Sequence, residues 1–483
     1  MIARDAVTEV RSRRPLTASV MRAMTLLSGT RVLILLCSVV RVKLVALWIG
    51  AAGVGLFGIY NSFIELMSVL TQLNVRDSSV RDIAGVDDIS MRHRIIGVVR
   101  RWAAVLGLFG SLLTLALSPL LSRVTFGDDA HACGFVWLSA VMLFSSVTGG
   151  ELAILQGSRL LGRLAAASLA GAVGGLLLSV PLFYFLGIDS IVPSIGVYAL
   201  STLVAALLLC YKGAGTASGG VTLRETVAKG CGFLRLGAWM TVAAFVTLLS
   251  QYIFIVYVNN RGGVDDAGFY QAGFTLVNKY IGLLLVGVAM EYYPRLASRA
   301  GSLRSLGVYA NHEIVTLSWI AMPCVSLFIV FRGLIVEMLY SAEFESILPY
   351  VTWAMAGTVL RCVSWCMGYV MLARGDGKAY VVCESVSAVV YLVLNTLFYE
   401  MWEVESLGKA YFLWYAVYCV TVMTVCRVRY GLRLRYAAMS VVTVSLLVVM
   451  LTMYLTDVSL LLGLAAALTG CVVSIVALRR MTA

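Results

Sequence analysis

Apolar runs long enough to cross a membrane recur from one end of the chain to the other. A helix of about 20 apolar residues spans the hydrocarbon of a bilayer, which is about 30 Å thick. Fourteen such runs, separated by short polar connections, occupy residues 26–49, 54–75, 97–121, 132–156, 164–186, 190–211, 236–258, 268–293, 313–331, 347–372, 379–399, 404–426, 436–455 and 458–478. The sequence therefore predicts an all-α polytopic membrane protein with about fourteen transmembrane helices.

The composition excludes a large domain outside the membrane. Apolar residues make up 60% of the 483 residues and charged residues only 13%, whereas soluble domains average about 45–50% and 25%. The eleven cysteines form no C-x-x-C pair, and there are only three histidines. We therefore expect neither a disulfide framework nor a metal site, no cofactor, and no enzymatic activity.

Basic residues concentrate in alternate connections, which sets the expected orientation. Cytoplasmic connections of membrane proteins retain Lys and Arg. This rule places both termini and the even-numbered connections in the cytoplasm, including a retained basic arm at residues 1–24. The net charge of +12 is thereby explained by topology, and no nucleic-acid partner is expected.

Two segments of the chain match each other at an offset of 213 residues. Residues 53–60 (GVGLFGIY) align with residues 266–273 (DAGFYQAG), and a nearby offset relates 155–159 to 373–377. Chance similarity between apolar segments is the alternative. The repeat predicts two six-helix lobes related by a pseudo-two-fold axis along the membrane normal. The predicted boundaries are 25–212 for the N-lobe, 213–235 for a cytoplasmic linker, 236–427 for the C-lobe and 428–483 for two extra helices.

Five basic residues are interpreted as embedded in the membrane, namely Arg31, Arg41, Lys43, Lys279 and Arg361, whereas Arg100, Arg101 and Lys409 are assigned to the connections. Each costs about 2.5–3.5 kcal/mol at mid-bilayer, so it must face protein, water or substrate. Arg31 and Arg41 are about 80° apart around a helix and can face one cavity, whereas Lys43 can instead snorkel towards the interface. Since the embedded bases outnumber the embedded acids, the pattern favours binding of an anionic group such as phosphate or pyrophosphate.

Embedded acids lie on polar helix faces. Glu65 and Glu384 are candidates for coupling transport to protons or sodium, and Glu151 lies near an inner helix end. The alternative for all three is structural, as members of buried ion pairs or interhelical hydrogen bonds. Two other signals indicate packing alone, the G-x-x-x-G of Gly171 and Gly175 and the thiols of Cys362 and Cys366.

Taken together, the repeated helices, the two extra helices and the basic first helix resemble the polysaccharide-export flippases of the Wzx type. These belong to the superfamily of multidrug and toxic-compound extruders and the peptidoglycan-precursor flippase. The stretches that carry the resemblance are residues 42–46, 50–56, 267–272, 293–296 and 368–384. Within the family, the chain is most similar to the O-antigen and common-antigen translocases of lipopolysaccharide-type pathways.

The resemblance implies a function. It implies a V-shaped bundle in the bacterial inner membrane that moves an undecaprenyl-pyrophosphate-linked oligosaccharide from the cytoplasmic to the periplasmic leaflet by alternating access. Lys43 and its neighbours would line the headgroup cavity, and polysaccharide polymerase and assembly enzymes are expected partners. Two alternatives stay open: another exporter of the superfamily, such as a multidrug antiporter, or a membrane-embedded glycan polymerase or acyltransferase.

Overall fold

The computed structural model describes the backbone of residues 26, 28–72, 75–86, 88–214 and 223–482. Side chains are described there except at residues 75–78, 89, 212–214, 223–238, 280, 281, 283, 284, 286, 290 and 482. The predicted cytoplasmic arm at 1–24 lies outside the described residues, as do residues 215–222 of the predicted linker.

Long α-helices form nearly all of the described chain, and no β-strand occurs in it. The helices are α1 (28–48), α2 (Ala51–Gln72), α3 (Val75–Ala84), α4 (Ile89–Phe126), α5 (Ala132–Gly157), α6 (Leu161–Leu186), α7 (Ile191–Ala214), α8 (Leu223–Ser298), α9 (Leu303–Val330), α10 (Arg332–Leu339), α11 (Leu348–Ala373), α12 (Gly377–Trp402), α13 (Leu407–Tyr430), α14 (Tyr436–Val458) and α15 (Leu460–Thr482). The predicted all-α class is confirmed.

Most helices extend beyond the apolar run that predicted them. The run at 97–121 lies inside α4, and the run at 313–331 begins ten residues after α9 does. Apolar composition marks only the part of a helix in hydrocarbon, while its polar ends remain helical among headgroups and water. The short helices α3 and α10 were not predicted, since neither contains an apolar run of spanning length.

Eleven helical segments of the described chain are long and apolar enough to cross a membrane. One of them, Leu161–Tyr211, contains two predicted spans, and another, Trp239–Lys279, contains parts of two. Helix α1, which carries Arg31, Arg41 and Lys43, is not among the eleven. The chain is a multi-pass membrane protein, and the count of fourteen spans stays a prediction.

Matched turns bear out the internal repeat at the level of the backbone. Gly50, between α1 and α2, has φ 84°, and Gly263, which interrupts α8, also has φ 84°. These residues are 213 positions apart, and both adopt a positive φ that glycine allows without a Cβ penalty. We call the two parts of α8 on either side of Gly263 α8a (223–262) and α8b (264–298).

The turn after α5 recurs after α11 with the same hydrogen bonds. Residues 158, 159 and 160 donate backbone N–H groups to the carbonyls of residues 154, 156 and 155, at 2.9–3.1 Å. Residues 374, 375 and 376 donate to the carbonyls of 370, 372 and 371 at 3.0–3.1 Å. The central residue has a positive φ in both turns, 59° at Arg159 and 70° at Gly375.

The chain divides into two compact units. Unit 1 comprises the described residues up to Ile49 together with Ile64–Thr241. In it, α4 packs along α5, α6 along α7, and α5 against α7. Glycines permit the α6–α7 contact, because a Cβ on Gly171 would lie 2.8 Å from Thr202 Cα and one on Gly175 would lie 2.5 Å from the Tyr198 ring. The predicted packing role of these two glycines is confirmed.

Unit 2 comprises Gly50–Phe63 and Val242–Ala483. Its core is α11, which packs against α13, α9 and α12, and whose thiols Cys362 and Cys366 are at most 1% exposed, as predicted. The last two helices, α14 and α15, pack on α9. Asn311 on α9 holds the connection before α14, since its amide donates to the Arg433 carbonyl and accepts from the Arg435 N–H.

Candidate functional site

Arg361 is a guanidinium embedded at the middle of α11. Its Nη1 donates to Asn278 Oδ1 at 2.5 Å and to Tyr411 Oη at 3.1 Å, and its Cζ lies 5.7 Å from the centre of the Tyr415 ring. The position is about 20 Å from either end of the 26-residue helix, at 1.5 Å per residue. Within the part of the chain that the structure describes, every group that contacts this cation is neutral.

Asn278 on α8b holds its amide in a fixed orientation. The Nδ2 group donates to the carbonyl of Phe274, one turn earlier in the same helix, at 3.0 Å. This bond leaves Oδ1 to accept from Arg361. The adjacent Lys279, another predicted site residue, is exposed. The structure therefore joins Arg361 on α11 to α8b through the residue that precedes Lys279.

Glu384 on α12 is partly buried and accepts hydrogen bonds from hydroxyl groups on its own helix, through Tyr380, and on two other helices. Tyr418 Oη donates to its Oε1 at 2.5 Å, and Thr247 Oγ1 on α8a donates to its Oε2 at 3.4 Å. The carboxylate thus joins α12 to α13 and α8a. Interhelical hydrogen bonding, one of the two roles considered for this residue, is present.

A tyrosine stripe on α13 connects Arg361 to Glu384, and the sequence reading missed it. It consists of Tyr411, Tyr415 and Tyr418, spaced at i, i+4 and i+7 on one helix face. Successive ring centres are 4.8 and 6.3 Å apart. All three rings are at most 9% exposed. The spacing is visible in the sequence, but it equally fits an ordinary buried face.

In unit 1, Arg41 fastens α1 to α7. Its side chain is 6% exposed, its Nη2 donates to the Ser194 carbonyl at 2.9 Å, and its Cζ lies 4.7 Å from the Tyr198 ring centre. A guanidinium stacked on an aromatic face gains electrostatic attraction there. Arg41 is thus embedded, as the sequence predicted.

The remaining predicted residues of unit 1 are more accessible. Arg31 is exposed on α1, Lys43 is partly buried on the same helix, and Glu65 is exposed on α2. The five predicted bases are therefore divided between the units: Arg31, Arg41 and Lys43 belong to unit 1, and Lys279 and Arg361 to unit 2. A shared headgroup cavity stays a prediction.

Glu151 has the structural role that the sequence left open for it. It is 3% exposed and forms a bidentate salt bridge with Arg100 on α4, through Nε at 2.8 Å and Nη2 at 3.1 Å. Tyr211 on α7 stacks on the same guanidinium, with its ring centre 4.8 Å from Cζ. The pair joins α4, α5 and α7, so here the chain neutralises an embedded arginine with a carboxylate.

Comparison with known sequences gives a family and two curated relatives. Residues 44–349 match the model of a family described as polysaccharide biosynthesis protein. The lipid III flippase of Escherichia coli (strain K12) is 24% identical over 388 residues, which cover 78% of this chain and 90% of the relative. The lipid III flippase of Shigella flexneri matches with the same identity and coverage.

Comparison with solved structures shows the fold. The lipid II flippase MurJ in an inward closed conformation matches with a TM-score of 0.70 and 12% identity, covering 96% of this chain and 99% of that one. An inward-facing multidrug resistance MATE family transporter of the MOP superfamily matches with a TM-score of 0.69 and 15% identity, covering 84% of this chain and 96% of that one. The fold is therefore that of MOP-superfamily transporters.

Proposed function

Because the chain belongs to the polysaccharide biosynthesis protein family, we propose that it flips a lipid-linked oligosaccharide across a membrane. The curated relatives are flippases, and the solved neighbours are transporters. The chain is accordingly a transporter of the MOP type and not a glycan-modifying enzyme. The predicted resemblance is confirmed at this level.

The proposed substrate is an undecaprenyl-pyrophosphate-linked repeat unit of an O-antigen or a related polysaccharide. It would move from the cytoplasmic to the periplasmic leaflet of the bacterial inner membrane by alternating access, with both protein termini in the cytoplasm. The polyprenyl tail stays in lipid while the sugar and the pyrophosphate need a polar path. Polysaccharide polymerase and assembly enzymes are the proposed partners that receive the product.

The single observation that carries this proposal is the environment of Arg361. A permanently charged guanidinium lies mid-helix among neutral partners, and no carboxylate among the described side chains offsets its desolvation. A pyrophosphate oxygen would supply the missing charge and form short, charge-assisted hydrogen bonds with the planar fork. Arg31, Arg41, Lys43 and Lys279 are proposed to contribute further positive charge to the same headgroup, which raises its local concentration.

Reconstitution tests the proposed function directly. The purified protein is placed in liposomes with a labelled undecaprenyl-pyrophosphate-linked oligosaccharide, and an impermeant glycosidase reports how fast the sugar crosses. We expect Arg361→Gln to lower the rate at least tenfold and Arg361→Lys to restore only part of it, because lysine lacks the bidentate fork. The matched control is Arg427→Gln, which removes an exposed arginine from the last turn of α13.

Two results would contradict the proposal. One is a wild-type rate equal to that of protein-free liposomes. The other is transport of a cationic dye, with no movement of the glycolipid, which would indicate a multidrug exporter. Full activity of the Arg361→Gln protein would show that Arg361 does not bind the substrate, but it would not contradict the flippase function itself.

Coupling to protons or sodium is proposed for Glu384 and Glu65. Glu384 supports the idea because two of its partners, the hydroxyl groups of Tyr418 and Thr247, lie on two other helices. A helix movement that separates them would change how well the carboxylate is solvated, and with it the affinity for a cation. We expect Glu384→Gln and Glu65→Gln to flip at a rate that no longer responds to an imposed proton or sodium gradient. Glu345→Gln, an exposed acid before α11, is the control, and an unchanged response in both variants would end the coupling proposal.

A further inference from the structure

Both the nitrogen and the oxygen of the Asn278 side-chain amide form hydrogen bonds. Its nitrogen donates to the Phe274 carbonyl at 3.0 Å, and its oxygen accepts from Arg361 at 2.5 Å. A carboxylate could accept from the guanidinium but has no N–H for the Phe274 carbonyl. Asparagine is therefore suited to hold this arginine without adding a negative charge.

The chain surrounds the guanidinium groups of Arg100 and Arg361 with different partners. Arg100 is met by the bidentate carboxylate of Glu151, at 2.8 and 3.1 Å, so its charge is cancelled where it stands. Arg361 is met by an amide and a phenol hydroxyl, so its orientation is fixed while its charge is preserved. The first arrangement suits a structural arginine and the second an arginine that must attract an anion.

The internal repeat shows that an acid occupies the corresponding position in the first half. At the offset of 213 that relates Gly50 to Gly263, Asn278 corresponds to Glu65. A carboxylate is thus found at this point of one repeat, and the second repeat carries a neutral amide that is one methylene shorter. The difference lies at the residue that contacts Arg361.

We infer that Asn278 is a specificity-determining positioning residue: it orients the Arg361 guanidinium while leaving its positive charge available to a pyrophosphate headgroup. Tyr411 shares the orienting role through its hydroxyl. This inference rests on the proposed function, since it explains how the same site selects an anion. An aspartate at position 278 would pair with Arg361 inside the protein and compete with the substrate.

Binding measurements on variants of the full-length protein in detergent test the inference. The probes are farnesyl pyrophosphate, uncharged farnesol and inorganic pyrophosphate, which separate the lipid headgroup from the tail and from a free anion. We expect Asn278→Asp to weaken farnesyl pyrophosphate binding at least tenfold, because the new carboxylate pairs with Arg361. Asn278→Ala removes the orienting hydrogen bond but leaves the charge of Arg361, so it should weaken binding measurably but by no more than about threefold. Arg361→Gln should match Asn278→Asp, and farnesol binding should be the same in all variants.

Asn61→Asp is the matched control. Asn61 on α2 also donates its amide to the carbonyl four residues earlier, at 2.7 Å, and no guanidinium is among its described hydrogen-bond partners. The substitution therefore reproduces the loss of the helix bond without placing a charge on Arg361, and we expect farnesyl pyrophosphate binding to be kept.

The outcomes separate this inference from the proposed function. Equal loss of binding in Asn278→Ala and Asn278→Asp would show that the amide is needed only for structure, which would overturn the inference. If Asn278→Asp does not fold, Asn278→Ala is compared with Arg361→Gln instead, and equal loss of binding in these two variants would likewise overturn the inference. The variants could bind farnesyl pyrophosphate in the expected order of affinity while the wild-type protein fails to flip the glycolipid. This result would refute the proposed function and leave the role of Asn278 intact.

Discussion

Gly55 on α2 and Gly268 on α8b pack backbone against backbone in a reciprocal contact. A Cβ on Gly55 would lie 2.1 Å from the carbonyl oxygen of Val264, and one on Gly268 would lie 2.1 Å from the carbonyl oxygen of Ala51. Gly55 and Gly268 are 213 residues apart, and so are Ala51 and Val264. Each helix therefore presents the same surface to the other, which is the property of a contact across a local two-fold axis.

Adding a methyl group at this contact should destabilise the protein. Gly268→Ala forces a Cβ into a space already filled by backbone, and backbone cannot move aside as a side chain can. We expect a loss of about 1–3 kcal/mol, typical of overpacking, seen as a lower thermal unfolding midpoint in detergent. Gly196→Ala on α7, with no atom within 4 Å of the new Cβ, should match wild type or exceed it. Equal midpoints for the two variants would refute the close contact.

Glu403 adopts a backbone conformation that favours glycine. It has φ 52° and ψ −152°, and its counterpart at the offset of 216, Gly187, has φ 55° and ψ −129°. A side chain in this region costs about 1–3 kcal/mol. Glu403→Gly should therefore raise the unfolding midpoint, whereas Gly187→Ala should lower it by a similar amount, although its Cβ would meet no atom within 4 Å. Glu405→Gly, two residues later, is the control and should be neutral or destabilising.

How much the sequence predicts depends on the range of the interaction. Apolar runs locate the helices, because the cost of an unpaired peptide group in hydrocarbon forces any long apolar run to be helical. The turns at Gly50 and Gly263 follow from a short local pattern. Glu151 and its partner Arg100 are 51 residues apart in the sequence, and Asn278 and Arg361 are 83 residues apart. Such pairs depend on how helices rotate and pack, which one sequence does not reveal.

Removing one member of the buried pair Arg100–Glu151 should be costly. Glu151→Ala leaves a guanidinium that is only 18% exposed without its bidentate acceptor, and breaking a buried pair costs about 3–5 kcal/mol. The control is Asp129→Ala, which breaks a pair whose side chains are 67% (Arg123) and 55% (Asp129) exposed and which should therefore change stability little. The double variant Arg100→Met, Glu151→Leu should recover part of the lost stability. Similar unfolding midpoints for Glu151→Ala and Asp129→Ala would contradict this prediction.

Asp376 should make stability depend on pH. Partial burial alone would raise the pKa of its carboxyl, but hydrogen bonds from Tyr430, from the Ala379 N–H and from Arg429 outweigh burial and lower the pKa. A depressed pKa in the folded state adds stability above the unfolded value of about 3.9, and this contribution is lost as the pH falls through the folded pKa.

We therefore expect Asp376→Ala to lower the free energy of unfolding at pH 7 by about 1–2 kcal/mol, seen as a lower unfolding midpoint than that of wild type. This difference in stability between wild type and Asp376→Ala should become smaller as the pH is lowered from 5 towards 3. The control is Asp88→Ala, because Asp88 caps α4 through the N–H groups of Ser90 and Met91 and accepts from no tyrosine or arginine among the described side chains. A gap that stays constant over this range would show that the charge of Asp376 contributes nothing.

The predicted orientation can be tested with single cysteines in a variant whose native cysteines are replaced. Basic connections are retained in the cytoplasm, so cysteines at Arg92 and Arg433 should resist an impermeant thiol reagent added to intact cells. Cysteines at Asp128 and Asp265, in the acidic connections on the opposite side, should react. Permeabilising the membrane should expose positions 92 and 433 to the reagent, which shows that they are accessible but enclosed. Labelling of position 92 in sealed cells would reverse the orientation, and with it the leaflet from which the proposed glycolipid enters.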